Sequence, residues 1–222
     1  MLKYKNLIII GTSHIAESSL KEVEEVFRKQ TPDIVAVELD HNRLHALLTN
    51  KKPNYSPALI PVLGFKGYLF ALIGSIIQQK LGSIVDIKPG SDMLRAVELA
   101  RDNKKRIALI DRDVRITLAR LSKSLGWKEK LNFLADILSS PFSKKMRINL
   151  KKVPKRDLVK KALSMLKKRY PGLYKVLVIE RNKIMALKLR TLMENYPEKK
   201  IMVVVGAGHE EGILNLVKSN QA

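Results

Sequence analysis

Leu7-Ile8-Ile9-Ile10-Gly11-Thr12-Ser13-His14, then an amphipathic run, then Thr31-Pro32-Asp33-Ile34-Val35-Ala36-Val37-Glu38: this stretch decides the fold. Leu7 to Ile10 is a continuous aliphatic run stopped by a glycine, the pattern of a strand buried on both faces. Between Ser18 and Lys29, Leu20, Val23, Val26 and Phe27 recur at three- and four-residue spacing, and Ser18 or Ser19 with Glu22 offers a cap. The spacing predicts an amphipathic helix. Thr31-Pro32-Asp33 breaks it, and Ile34 to Val37 is a second buried strand. Strand, helix and strand in this order form a βαβ unit with parallel strands and a right-handed crossover.

The reading extends outward from that unit. A helix is expected from Asp40 to Leu48, a loop over Lys51–Ser56, and an apolar core helix within Pro57–Ile77. The longest uninterrupted part of that last segment, Gly67 to Ile77, is eleven residues, whereas a membrane span needs roughly 20. Turn chemistry at Lys88-Pro89-Gly90-Ser91-Asp92 leads into a helix from Met93 to Asp102, and Arg106–Ile110 is a third strand. Helices are expected over Val114–Leu125 and Leu131–Leu138, then through a basic stretch from Lys144 to Lys168 broken near Pro154. A turn at Tyr170-Pro171-Gly172 precedes an apolar-periodic helix over Tyr174–Leu192. Ile201–Val205 is the fourth strand, and a last helix covers Glu211–Lys218. The expected fold class is α/β: a central, largely parallel or mixed β-sheet flanked by helices. It is expected as one domain over residues 1–222, with a helical insertion at about 40–92.

Composition narrows the function classes. Of 222 residues, 45% are hydrophobic and 28% charged, which excludes a disordered chain. With no cysteine, disulfides and thiolate metal sites are excluded outright. Met1–Asn6 is followed by only a four-residue apolar run, too short for a secretory signal, so the expected location is cytoplasmic. The net charge is +21, and +15 of it falls between Lys144 and Arg190, where seventeen Lys or Arg face only Asp157 and Glu180. Two readings of this segment stand side by side: a contact for an anionic membrane surface, or a solvated lysine-rich face. Nucleic acid is not an expected partner, since no RNP, helix-turn-helix or finger pattern occurs and aromatic residues are only 5%. Nothing in the sequence fixes the oligomeric state.

The chemistry gathers at the strand ends. The four strands run out into Gly11-Thr12-Ser13-His14, into Glu38, into Asp111-Arg112-Asp113 and into Gly206-Ala207-Gly208-His209. Ligands of open α/β sheets bind beyond the carboxyl ends of the strands, so these residues are candidates for one shared site. Gly-x-x-His occurs twice, each copy directly after a buried strand; glycine permits the tight turn, and a side chain three residues on is aimed back over the sheet edge. Two histidines with a carboxylate form a donor set for a first-row divalent metal. A histidine with a carboxylate partner is equally a general base without metal. Asp111 and Arg112 also read as a helix cap and a salt bridge. His41 and His45, four apart, read as a solvated helix face. Gly206 and Gly208 lack the third glycine of a dinucleotide loop, Gly212 standing one position too far on.

Several of these motifs resemble the TraB family, which includes the pheromone-shutdown protein PrgY. The resemblance is carried by Gly11-Thr12-Ser13-His14 with Ser18, Val35-Ala36-Val37-Glu38-Leu39 with Arg43, and Lys88-Pro89-Gly90-Ser91-Asp92-Met93. It continues in Leu109 to Leu118, in Glu180-Arg181-Asn182 with Met185, and in Val205-Gly206-Ala207-Gly208-His209-Glu210-Glu211-Gly212-Ile213, and is weakest over Leu131–Leu173. The family is similar to the wider group of TIKI metalloproteases, GumN-like proteins, ChaN and erythromycin esterases. The resemblance implies an active-site core of His14, Glu38 and His209, with Arg43, Asp111, Arg112, Arg115, Glu180 and Arg181 around it. Where the family commonly has an acidic residue, this chain has Asn182. Many archaeal-type members carry C-terminal membrane helices, which leaves a membrane-anchored or peripheral location open if such a segment is missing here.

The expected function is a metal-dependent hydrolase acting on a peptide-like or small-molecule substrate. His14, Glu38 and His209 are expected to hold Mn, Co or Zn, which activates water. Glu38, Asp111 and Glu180 are the expected catalytic carboxylates, and Arg43, Arg112, Arg115 and Arg181 the substrate-binding cations. A non-catalytic peptide-binding or signal-sequestering module at the membrane surface is the alternative.

Overall fold

The structure, a computed structural model, describes residues 1–12, 17–49, 61, 90–129, 132 and 156–219. His14, most of the apolar stretch 57–77, nearly all of the helix expected over 131–138 and the basic residues before 156 lie outside the described residues.

Five strands form one sheet: β1 (Leu2–Tyr4), β2 (Leu7–Thr12), β3 (Ile34–Val37), β4 (Arg106–Leu109) and β5 (Ile201–Gly206), in the spatial order β1-β2-β5-β3-β4. β2, β5, β3 and β4 are parallel, and β1 adds an antiparallel edge, so the sheet is mixed. β1 has no counterpart among the sequence expectations. It folds back through the two-residue loop Lys5-Asn6, with Lys5 at φ 49° and the Asn6 amide donating to the Tyr196 and Lys199 carbonyls. β2 and β3 are parallel as expected, but they are not neighbours. The last strand, β5, is inserted between them, with Ile201 registered against both Leu7 and Ile34.

The helices explain why the strands are apolar throughout. α1 (Glu17–Gln30) and α3 (Ser91–Asp102) pack on one face, where Val23, Phe27, Met93, Ala96 and Val97 meet Ile10, Val35, Val37, Met202 and Val204. α6 (Glu180–Asn195) and α7 (Glu210–Lys218) cover the other, where Met185, Leu189, Ile213 and Val217 meet Leu7, Ile9, Ile34, Val203 and Val205. Alternate residues of each strand therefore belong to different cores, and both sets must be hydrophobic. α1 ends as its sequence dictates: Thr31 takes φ 45°, donates its N–H to Phe27, and precedes a proline.

The described residues also form α2 (His41–Leu48), α4 (Val114–Ser124) and α5 (Arg156–Arg169). The turn expected at Tyr170-Pro171-Gly172 is instead the start of a short helix, Pro171–Tyr174, with proline at its first turn. This runs through a π-helical turn, Lys175–Ile179, into α6. Along α5, Val159, Leu163 and Leu166 turn inward while Lys160, Lys161, Lys167, Lys168 and Arg169 are exposed. Among the described residues no helix is long and apolar enough to cross a membrane.

Candidate functional site

Parallel strands present their carboxyl ends on one side, and there β3, β4 and β5 deliver Glu38, Asp111 and His209 into one buried network. Glu38 stands directly after Val37. Its N–H donates to the Val204 carbonyl, and the Gly206 N–H returns a bond of 2.7 Å to Glu38 Oε2. The residue is 3% exposed, and its Oε1 faces inward. His209 ends the turn after β5, and its Nε2 lies 3.6 Å from that oxygen. On the other edge of the ring, Nδ1 is 2.6 Å from the Asn182 side-chain oxygen on α6. With the carboxamide oxygen as acceptor, Nδ1 carries the proton and Nε2 is left with its lone pair turned toward Glu38.

Arg181 joins the pieces. Its Nε donates to Asp111 Oδ1 at 3.1 Å, and Nη2 donates to Asp111 Oδ2 at 2.7 Å and also to Glu38 Oε1. Nη1 lies 3.2 Å from His209 Nε2 and 3.5 Å from the Leu177 carbonyl. Burial alone would push this guanidinium down. The charge of Glu38 and the hydrogen bonds donated to Asp111 outweigh it and raise the group above the ordinary arginine value. Arg43, half exposed on α2, reaches Asp111 Oδ2 at 3.4 Å and the Glu38 carbonyl at 3.3 Å. Lys188 donates to the Leu109 and Asp111 carbonyls; burial holds it below the usual lysine value, against the pull of Asp111 and Asp40.

A second network lies beside the first. Arg112 donates to Thr117, to the Val176 carbonyl in the π-helical turn and to Glu180 at 3.1 Å. Arg120 grips Glu180 from outside, with Nη2 2.8 Å from Oε1. The π turn matters here. Its wider winding re-aims the residues after it, and two of its carbonyls, Val176 and Leu177, accept from Arg112 and Arg181 rather than serving the helix alone. Arg120 hydrogen bonding chiefly, and Arg112 beside it, hold the Glu180 carboxyl below its usual range despite partial burial. Stability from this pairing is present above the ordinary glutamate value, about pH 4.3, and is lost as pH falls through the lower folded value. The stability difference between wild type and Glu180→Gln should therefore shrink in urea titrations taken from pH 7 to pH 3. A difference that is constant over that range contradicts the assignment.

The structure brings Glu38, Asp111, Arg181, His209 and Arg43 together, with Arg112 and Glu180 adjoining. Arg115 is instead engaged with Asp113, the cap of its own helix, and is more than half exposed. His14 lies outside the described residues. Asp111 and Arg112 do form the salt bridges that their bland reading requires, and the cap falls to Asp113. His41 and His45 lie on the solvent side of α2, which buries none of its residues. Among the described residues, no group of three histidine or acidic side chains is arranged to hold one metal ion.

Lys188 and Arg120 are participants the sequence expectations do not name, and Asn182 and Gly212 appear there only as motif positions, without a role in the site. Asn182 had a visible signal: it stands on the stripe of Met185, Ala186 and Leu189, where a polar residue needs a partner. Gly212 clears the space for it. A Cβ there would lie 2.2 Å from the Asn182 amide nitrogen. Beyond Asn182, toward β2, opens a cavity of about 370 Å³. Gly11, Ala207 and Gly208 from the strand ends, Lys160 and Leu163 from α5 and Glu211 from α7 are among its walls.

The chain has recognisable relatives. A family model described as the TraB/PrgY/gumN family matches residues 3–222. The uncharacterized protein MJ1365 of Methanocaldococcus jannaschii is 36% identical over 217 residues, which cover 96% of this chain and 53% of that protein. TraB domain-containing proteins of Bos taurus and Homo sapiens are 25% and 23% identical, over 92% of this chain and 60% and 61% of theirs. The chain thus spans little more than half the length of the curated relatives it matches.

Proposed function

The chain belongs to the TraB/PrgY/gumN family, and on that premise we propose that it is a metal-dependent hydrolase of peptide-like substrates, its reacting centre at His209 and Glu38. One observation carries this reading: His209 Nε2 and Glu38 Oε1 stand 3.6 Å apart at converging strand ends, and a cavity opens beyond Asn182 on the other edge of the histidine ring. A tetrahedral ion bound at about 2.0–2.2 Å spaces its ligands about 3.3–3.6 Å apart, so these two donors fit one Mn, Co or Zn ion. The Asn182 oxygen on Nδ1 supplies the outer contact that fixes the tautomer of a ligating histidine. His14 is the third ligand by family resemblance. Held by these residues, a metal would supply Lewis-acid activation of water for attack on a carbonyl.

The protein's own groups do the rest. Gly206 N–H and the buried position of Glu38 keep that carboxylate fixed, so no reorganisation is needed when charge develops nearby. The cavity, near the small end of the range for ligand sites, takes a few residues of extended chain. Its walls include the glycine-bearing ends of β2 and β5, where a substrate backbone can approach closely. Asp111 is the neighbouring carboxylate placed to relay a proton once Arg181 is engaged elsewhere.

A second reading is favoured by a different observation. Glu38, Asp111 and Glu180 are all ion-paired to arginines, the arrangement of a rigid binding module rather than of a base at work. Melting curves separate the two. Chelator-treated protein should melt higher as Mn, Co or Zn is added, by mass action, and His209→Ala should lose that shift. If none of the three metals moves the wild-type curve, the hydrolase reading gives way to the binding module.

A further inference from the structure

We infer that Arg181 is a built-in cation of this site: its guanidinium and a divalent metal are alternative occupants of the same two donor atoms. The inference rests on the metal reading above. An imidazole whose Nδ1 carries a proton has one in-plane lone pair, on Nε2. In His209 that lone pair faces Arg181 Nη1 at 3.2 Å. The other donor, Glu38 Oε1, is bonded by Nη2 of the same guanidinium. Its two amino groups therefore cover two of the atoms that would ligate a metal.

This is a built position and not a passing contact. A guanidinium has five N–H bonds, and here each has an acceptor: both Asp111 oxygens, Glu38 Oε1, His209 Nε2 and the Leu177 carbonyl. The side chain is only 13% exposed. Two buried carboxylates, Glu38 and Asp111, need a counter-charge whenever no metal is bound, and Arg181 supplies it from α6. A divalent ion delivers more charge to the same place but requires the lone pair of His209, which cannot serve both. Metal entry is then coupled to release of the guanidinium, which becomes free to pair with a substrate carboxylate. Arg181 thereby sets how tightly the site holds metal.

Equilibrium dialysis against Mn, Co and Zn tests this on three proteins: wild type, Arg181→Met, and Arg181→Met with Asp111→Asn. The double variant also removes the buried Asp111 charge that Arg181 balances, so a foldable protein is retained if the single variant unfolds. Both variants should bind metal about tenfold or more tightly than wild type, equivalent to about 1.4 kcal/mol. Metal added to the wild type should also shift the Arg181 side-chain nitrogen signals in NMR spectra. Equal or weaker metal binding by the variants, with metal bound by the wild type, overturns the competition and leaves the metal reading standing. If none of the three proteins binds any of the metals, the metal reading itself falls and the competition with it.

Discussion

Arg181→Met is expected to lower the free energy of unfolding by about 3–5 kcal/mol, the range measured when one partner of a buried ion pair is removed. Glu38 and Asp111 have side chains only 4% exposed and share this one guanidinium, so deletion leaves two buried carboxylates facing each other across the gap. Arg43 reaches Asp111 from the surface and Lys188 bonds its carbonyl, and neither of these two contacts is with the Glu38 carboxylate that Arg181 bonds. Arg181→Lys should recover only part of the loss, because a single ammonium cannot span Glu38, Asp111 and His209 as a planar fork does. Urea unfolding at pH 7 reads both changes. A double-mutant cycle with Asp111→Asn should show the pair to be coupled, the double losing less than the sum of the singles. A loss below about 1 kcal/mol, typical of an exposed pair, contradicts the burial argument.

Gly212→Ala is expected to have the second large effect, and chiefly on function. The added methyl would lie 2.2 Å from the Asn182 amide nitrogen and 3.3 Å from its Cγ. The backbone of α7 cannot yield, being packed against β2 and α6, whereas Asn182 is a short side chain that can rotate. It rotates away from His209 Nδ1 and leaves that nitrogen buried without its acceptor. Stability should fall by about 1–3 kcal/mol, the desolvation penalty of an unsatisfied polar group. Metal affinity should fall further, by about 10–100-fold, the usual result of losing a histidine's outer contact. Asn182→Ala removes the same contact from the other side without overpacking and should reproduce the affinity loss at a smaller cost in stability. If Asn182→Ala binds metal as wild type does, Asn182 only fills space.

The four principal strands were legible because burial on both faces leaves an unambiguous mark. Leu7–Ile10, Ile34–Val37, Arg106–Ile110 and Ile201–Val205 are short apolar runs closed by glycine or by acids, and each is a strand within a residue or two of its expected end. β1 was not legible. Leu2-Lys3-Tyr4 is three residues long, and its pairing depends on the Lys5-Asn6 loop and on Asn6 reaching Tyr196 and Lys199, at the far end of the chain. The helix expected from Tyr174 is uniform in its apolar spacing because periodicity cannot separate an α-turn from a π-turn of five residues.

By itself, the sequence determined the class of fold and the residues at the strand ends, since both arise from local pattern. Apolar runs make buried strands, and the residues just after a buried parallel strand lie at the sheet's carboxyl edge. It also determined that Glu38 and His209 were worth pairing. Only the tertiary structure decided that β5 lies between β2 and β3, which is what places His209 against Glu38. Strand order is set by which surfaces the crossover helices bury, a long-range property with no local signature. The same holds for Arg181 and Asn182. One is a charged residue in a basic stretch and the other a polar residue in a helix. Their roles exist because the π-helical turn and the packing of α6 carry a guanidinium and a carboxamide to the two edges of one histidine ring.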